Sequence, residues 1–108
     1  MHALGEFMNA QQSWSEKTFG PPEHRGPIGP LKHLAKEAVE ASESVGTEHA
    51  LEELADCLFL LCDATWRSGF WVNDLLKAAY IKLDKNKERT WPDWRTADAN
   101  APIEHVRS

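Results

Sequence analysis

Four carboxylates toward the middle of the chain are arranged as two pairs, Glu37-x-x-Glu40 and, after a spacer of twelve residues, Glu53-x-x-Asp56. On a helix, positions three apart lie about 60° from each other, so each pair makes one acidic patch. Like charges at that spacing repel by roughly a few tenths of a kcal/mol per pair. Either water screens them or a cation offsets them. An all-oxygen donor set selects hard divalent ions, Mg²⁺ or Mn²⁺. A di-iron carboxylate bundle needs Glu-x-x-His, and no His follows a Glu by three here. Zinc lacks its usual Cys and His ligand pattern, which leaves magnesium as the default.

The competing reading is a solvated face, since Glu-x-x-Glu is common on exposed helices. Asp56 weighs against it, because it interrupts the apolar run LADCLFLLCDATW, where an unpaired charge is costly. Asp63 falls within about 20° of Asp56 on the same stripe. It is a further ligand, a group that orients the ligands, or an exposed acid.

A second set of polar residues lies near the other end of the chain. Lys82, Asn86 and Arg89 follow one another at i, i+4 and i+7, beside the apolar positions Leu75, Ala79 and Leu83. Two cations and an amide suit a phosphorylated ligand, the cations meeting charge that metal ions leave uncovered and the amide holding a sugar hydroxyl or phosphate oxygen. The alternative is a basic helix C-terminus complementing its own dipole. Acids on one pair of helices with bases on another suggest a polyphosphate bridged to protein through metal ions. Trp14 and Phe19 flank the entry to a Pro/Gly-rich loop, where they either stack on a nucleobase or cap the core. Trp91 and Trp94 read as packing residues, and His24 and His33 as structural or solvated.

The elements that must position these groups are helical. Leu31, Leu34, Ala35, Ala38 and Val39 recur at helical spacing and predict a helix from about Pro30 to Ser44. Gly46 ends it and Thr47 caps the next, which continues the same period to about Arg67 and is apolar nearly all round, as a buried helix is. The short break makes these two an antiparallel hairpin, so the acidic patches face each other. Asn73 is the expected N-cap of a third long helix ending near Arg89. A short helix is expected from about Leu4 to Gln12, an irregular loop over GPPEHRGPIGP (20–30), and an irregular tail from about residue 90. No period-two strand pattern occurs, so the fold class is all-α, a helix bundle in a single domain spanning 1–108.

Composition narrows the partners. With 42% apolar and 27% charged residues the chain is ordinary globular protein. A formal charge of −5 argues against a nucleic-acid polymer as partner. The apolar run is too short and too interrupted to span a bilayer. Cys57 and Cys62 point in different directions on one helix and do not bridge, which together with the absence of an export leader suits a reducing cytoplasm.

The metal-ligand pattern followed by Lys82-x-x-x-Asn86-x-x-Arg89 resembles the MazG-like all-α nucleoside triphosphate pyrophosphohydrolases. The phrases WSEKTFGP, GPLKHLAKEAVEA, DATWRSGF, KNKERTWPDW and IEHVR are similar, more narrowly, to the dATP/dGTP diphosphohydrolase branch that includes the phage MazZ enzymes, from about Gln12 to the C-terminus. The resemblance implies a four-helix catalytic module, assembled as a homodimer or homotetramer, that hydrolyses a purine deoxynucleoside triphosphate to monophosphate and pyrophosphate. It implies Glu37, Glu40, Glu53 and Asp56 as Mg²⁺ ligands, with Mn²⁺ able to substitute. Lys82, Asn86 and Arg89 then meet phosphate and sugar, and the Trp14 and Phe19 segment contributes to the base pocket. Glu40 is the glutamate expected to orient or deprotonate the attacking water. The choice between adenine and guanine is left open. A broad or pyrimidine-specific house-cleaning pyrophosphatase is the nearer alternative, and a non-enzymatic helical interaction module the more distant one.

Overall fold

The structure, a computed structural model, describes residues 3–107. Four helices follow one another: α1 (Ala3–Phe19), α2 (Ile28–Glu43), α3 (Ala50–Arg67) and α4 (Val72–Glu88). No strand occurs among the described residues, as the periodicity predicts. The chain divides into two compact units, the first running to Leu75 and the second from Leu76 onward.

In the first unit, α1 is about two turns longer than the apolar pattern predicts. The inner stripe of α1 runs through half-buried Leu4 and buried Met8, Gln11 and Ser15, so helical spacing persists while the residue type changes from apolar to polar. Gln11 and Ser15 are buried because each has hydrogen-bond partners on α3. The helix stops where Gly20 takes φ +101°, with the Gly20 N–H bonded to the Glu16 carbonyl.

α2 begins at Ile28, two residues before the expected Pro30. Its first i to i−4 bond runs from the Leu31 N–H to the Pro27 carbonyl, and Pro30, within the first turn, has no N–H to leave unpaired. Ser44 ends the helix, its hydroxyl donating to the Glu40 carbonyl, and Gly46 turns the chain at φ +82°. Thr47 does not cap α3 directly. It closes a turn, donating to the Ser44 carbonyl and accepting the His49 N–H, and α3 starts three residues later. Glu52 and Glu53 in its first turn suit the positive end of the helix dipole.

α2 and α3 are antiparallel: Glu40 meets Glu53 near the connecting turn, while Gly29 and His33 share a cavity wall with Asp56 and Asp63 farther away. α1 packs on α3 as well. The expectation that α3 is buried throughout holds only for its C-terminal half, where Leu60 and every residue from Cys62 to Arg67 are buried. Its N-terminal half exposes Leu51, Leu54 and Leu58. The apolar core is small, formed by Met8, Cys62 and Val72 with Leu4 and Trp71 around them. Burial, and secondarily the Asp63 charge, push the Cys62 thiol up, so it behaves as a packing group.

α4 begins at Val72 rather than after an Asn73 cap. The capping group is Asp74, whose Oδ2 accepts the Trp71 N–H at 2.8 Å. In the second unit the irregular tail folds back on the end of α4: the Trp91 indole donates to the Asn86 carbonyl, the Val106 N–H to the Thr90 carbonyl, and His105 meets Trp91 edge to face. Trp94, expected to pack, is 71% exposed with the Arg95 guanidinium over its ring. No described helix is long and apolar enough to cross a membrane.

Candidate active site

Glu37 and Glu40 of α2 and Glu53 of α3 each place a carboxylate oxygen within 4.8 Å of the others. All three are half-buried. Glu53 Oε2 is fully buried and has no hydrogen-bond partner. A buried carboxylate oxygen without a donor is costly, and a hard cation is the partner that three converging carboxylates fit. Glu37 also receives His33, whose Nε2 lies 3.0 Å from Oε1 one turn earlier on α2. Asp56, one turn beyond Glu53, is exposed and stands outside the tight group, lining the adjacent cavity with Glu37.

A hydrogen bond with the Glu37 carboxyl, and then the Glu37 negative charge, hold the Glu40 pKa above the ordinary carboxylate value. The folded state therefore binds more protons than the unfolded chain between the ordinary and the raised pKa, so stability falls as pH rises through that window. In ion-free protein the melting temperature is expected to fall across this interval, and to fall less in Glu40→Gln, as a pH series of thermal melts will show.

Beside the acids lies a cavity of about 520 Å³. Its apolar wall is aromatic: Trp14 stands edge to face against Phe19, with centroids 5.4 Å apart, and against Phe59 at 5.6 Å. Trp14 and Phe19 thus reach one pocket with Glu37 and Asp56. Sequence reasoning did not single out Phe59; the signal was its place three residues after Asp56, on the same face of α3.

Asp63 is neither an exposed acid nor a member of the carboxylate group. It is buried, and its Oδ1 accepts from Gln11 Nε2 at 2.7 Å and from the Ser15 hydroxyl, while Oδ2 accepts from Arg67 Nε at 2.9 Å. Arg67 Nη1 donates to the carbonyls of Gly20 and Arg25 at 3.0 and 2.8 Å, and Nη2 to the Ser15 hydroxyl at 3.0 Å and, more weakly, to the Ser15 carbonyl at 3.4 Å. Gln11 completes the network by accepting the Trp66 indole N–H at 2.8 Å. One guanidinium therefore joins α1, the Pro/Gly-rich loop and α3 behind the cavity. Sequence reasoning missed Gln11, Ser15, Arg25 and Arg67; the signal was the i, i+4 spacing of Asp63 and Arg67 inside an apolar stretch.

In the second unit Lys82 and Asn86 lie on α4 with Arg89 just past its end. Arg89 Nη1 donates to Asn86 Oδ1 at 3.1 Å, which leaves the Asn86 amide nitrogen as a donor, and Lys82 is exposed.

This four-helix architecture is that of the MazG-like pyrophosphohydrolases. A cyanophage S-2L MazG-like pyrophosphohydrolase, solved with dGDP and three catalytic Mn²⁺ ions per active site, superposes with a TM-score of 0.68 at 23% identity, over 99% of this chain and 96% of that one. Within that class the assignment narrows on sequence. Residues 7–108 match the dATP/dGTP pyrophosphohydrolase family, and the chain belongs to it. It is accordingly a nucleotide pyrophosphohydrolase. No curated protein matches the sequence.

Proposed function

We propose that this protein hydrolyses dGTP and dATP to the nucleoside monophosphate and pyrophosphate with Mg²⁺, for which Mn²⁺ substitutes. The observation that carries the reading is the convergence of Glu37, Glu40 and Glu53 at an aromatic cavity, with a buried Glu53 oxygen that no protein donor meets. It is consistent with the dGDP and Mn²⁺ bound by the cyanophage relative.

Glu37, Glu40 and Glu53, with Asp56 from the cavity wall, are the side chains assigned to hold the metal. Bound there, divalent ions supply Lewis-acid polarisation of the phosphoryl oxygens and a more acidic water. Glu40 is assigned to orient the attacking water and accept its proton, once metal binding separates it from the Glu37 carboxyl. The water oxygen bonds to the α-phosphorus, the bond from that phosphorus to the α–β bridging oxygen breaks, and pyrophosphate leaves with the electron pair. Lys82, Asn86 and Arg89 are assigned to phosphate and sugar by their charge and amide chemistry. Trp14 and Phe19 are assigned to the base, a role in which Phe59 joins them.

The exposed stripe of Leu51, Leu54, Leu58 and Leu61 on α3 supports assembly as a homodimer or homotetramer. Two free thiols support residence in a reducing cytoplasm.

Chromatography of a dGTP or dATP digest is expected to show monophosphate and pyrophosphate in equal amounts, with turnover lost on chelation and restored by Mg²⁺ or Mn²⁺. Diphosphate and orthophosphate as products overturn the reading.

A further inference from the structure

Arg25 belongs to no group assigned so far. Its side chain lines the cavity together with Trp14, Phe19 and Phe59. Among the described residues no carboxylate forms an ion pair with it. The guanidinium lies over Gly29, where an added Cβ would stand 3.2 Å from Nη2. The backbone of Arg25 is tied to α3, its carbonyl accepting from Arg67 Nη1 at 2.8 Å. Arg25 is exposed, so its cation is open to a ligand that enters the aromatic-walled pocket.

Position and chemistry indicate what it binds. Gly29 precedes Glu37 by eight residues, about 12 Å along a helix axis. That separation is comparable to the reach of a nucleotide from its α-phosphate to its base, which puts Arg25 at the base end when the phosphates are at the acids. A planar guanidinium fork matches two adjacent acceptors, and among the bases guanine presents such a pair, O6 and N7, on one edge. Adenine presents N7 beside an amino donor.

Resting on the nucleotide pyrophosphohydrolase reading above, we infer that Arg25 reads the O6/N7 edge of guanine in this cavity and that Arg67 is the residue that positions it. Arg25 is then a selectivity residue for dGTP over dATP. Arg67 touches no substrate and acts through the Arg25 carbonyl.

The test compares wild type, Arg25→Gln, Arg67→Lys and the double variant. For each, kcat/KM is measured with dGTP, dATP and 7-deaza-dGTP, alongside equilibrium affinities for dGDP and dADP. Arg25→Gln is expected to lower dGTP turnover and dGDP affinity about tenfold, with a smaller fall for the adenine nucleotides, and to remove the penalty that wild type shows against the N7-lacking analogue. Lysine at 67 keeps the charge facing Asp63 and cannot span both the Gly20 and Arg25 carbonyls. It is expected to reproduce the loss of guanine selectivity, and to add little to it in the Arg25→Gln background. An unchanged guanine-to-adenine ratio in Arg25→Gln, or indifference of wild type to the 7-deaza analogue, overturns the Arg25 assignment. Additive effects in the double variant overturn the positioning role of Arg67. The diphosphate affinities read Arg25 even without turnover, so a failure of the proposed activity is distinguished from a failure of this inference.

Discussion

Arg67→Met is expected to lower the folding stability of the chain by about 3–5 kcal/mol, the range for removing one partner of a buried ion pair. The Arg67 side chain is 1% exposed and that of Asp63 6%. Arg67 directs its guanidinium nitrogens to Asp63, to the Gly20 and Arg25 carbonyls and to Ser15. Methionine fills similar volume and replaces none of these donors, leaving a buried carboxylate and two carbonyls short of partners. Urea unfolding followed by far-ultraviolet circular dichroism gives the magnitude. A loss below about 1 kcal/mol, the scale of an exposed pair, contradicts the account. The Asp93–Arg95 pair is an internal control, since both side chains are more than half exposed and Arg95→Ala should change stability little. Removing both buried charges in Asp63→Leu/Arg67→Met is expected to restore part of the loss, because no uncompensated ion then remains.

Glu53→Gln is expected to lower kcat by about 10³-fold or more, the scale on which a principal electrostatic or catalytic group is lost. The same change should leave the ion-free protein as stable as wild type or more so, because it takes a charge from a carboxylate whose Oε2 is buried without a partner. Opposite directions for activity and stability distinguish a functional acid from a structural one. Two measurements check this: dGTP turnover in Mg²⁺, and the rise in melting temperature on adding Mg²⁺ to each protein, which should be large in wild type and nearly absent in the variant. Undiminished turnover in Glu53→Gln removes Glu53 from the site.

The approach of Glu37, Glu40 and Glu53 to one another was legible because helical geometry converts spacing in sequence into a shared face, and the short break at Val45–Thr47 implies an antiparallel return; Asp56, expected to converge with them, stands outside the tight group. The extent of α1 was not legible, because its inner stripe changes from Met8 to Gln11 and Ser15, and hydropathy cannot distinguish a polar residue that is solvated from one that is satisfied inside. For the same reason Asp63 carried three readings at once: only its partners from α1, 48 and 52 residues away, decide that it is a structural carboxylate. Arg25 was hidden by lying in a Pro/Gly-rich loop, where no period exists to say which way a side chain points. The start of α4 was misplaced because Asn73 and Asp74 are both capping residues, and the direction of the bond from the Trp71 N–H decides between them.

The smallness of the Met8, Cys62 and Val72 cluster beside so large a polar knot has a thermal consequence. Heat capacity of unfolding grows with apolar surface newly wetted and shrinks with polar surface, so a first unit joined to this extent through Asp63 and Arg67 has a shallow dome of free energy against temperature. Such a unit on its own is neither strongly weakened by cold nor strongly favoured near its optimum, and burying the exposed leucines of α3 on association would deepen the dome.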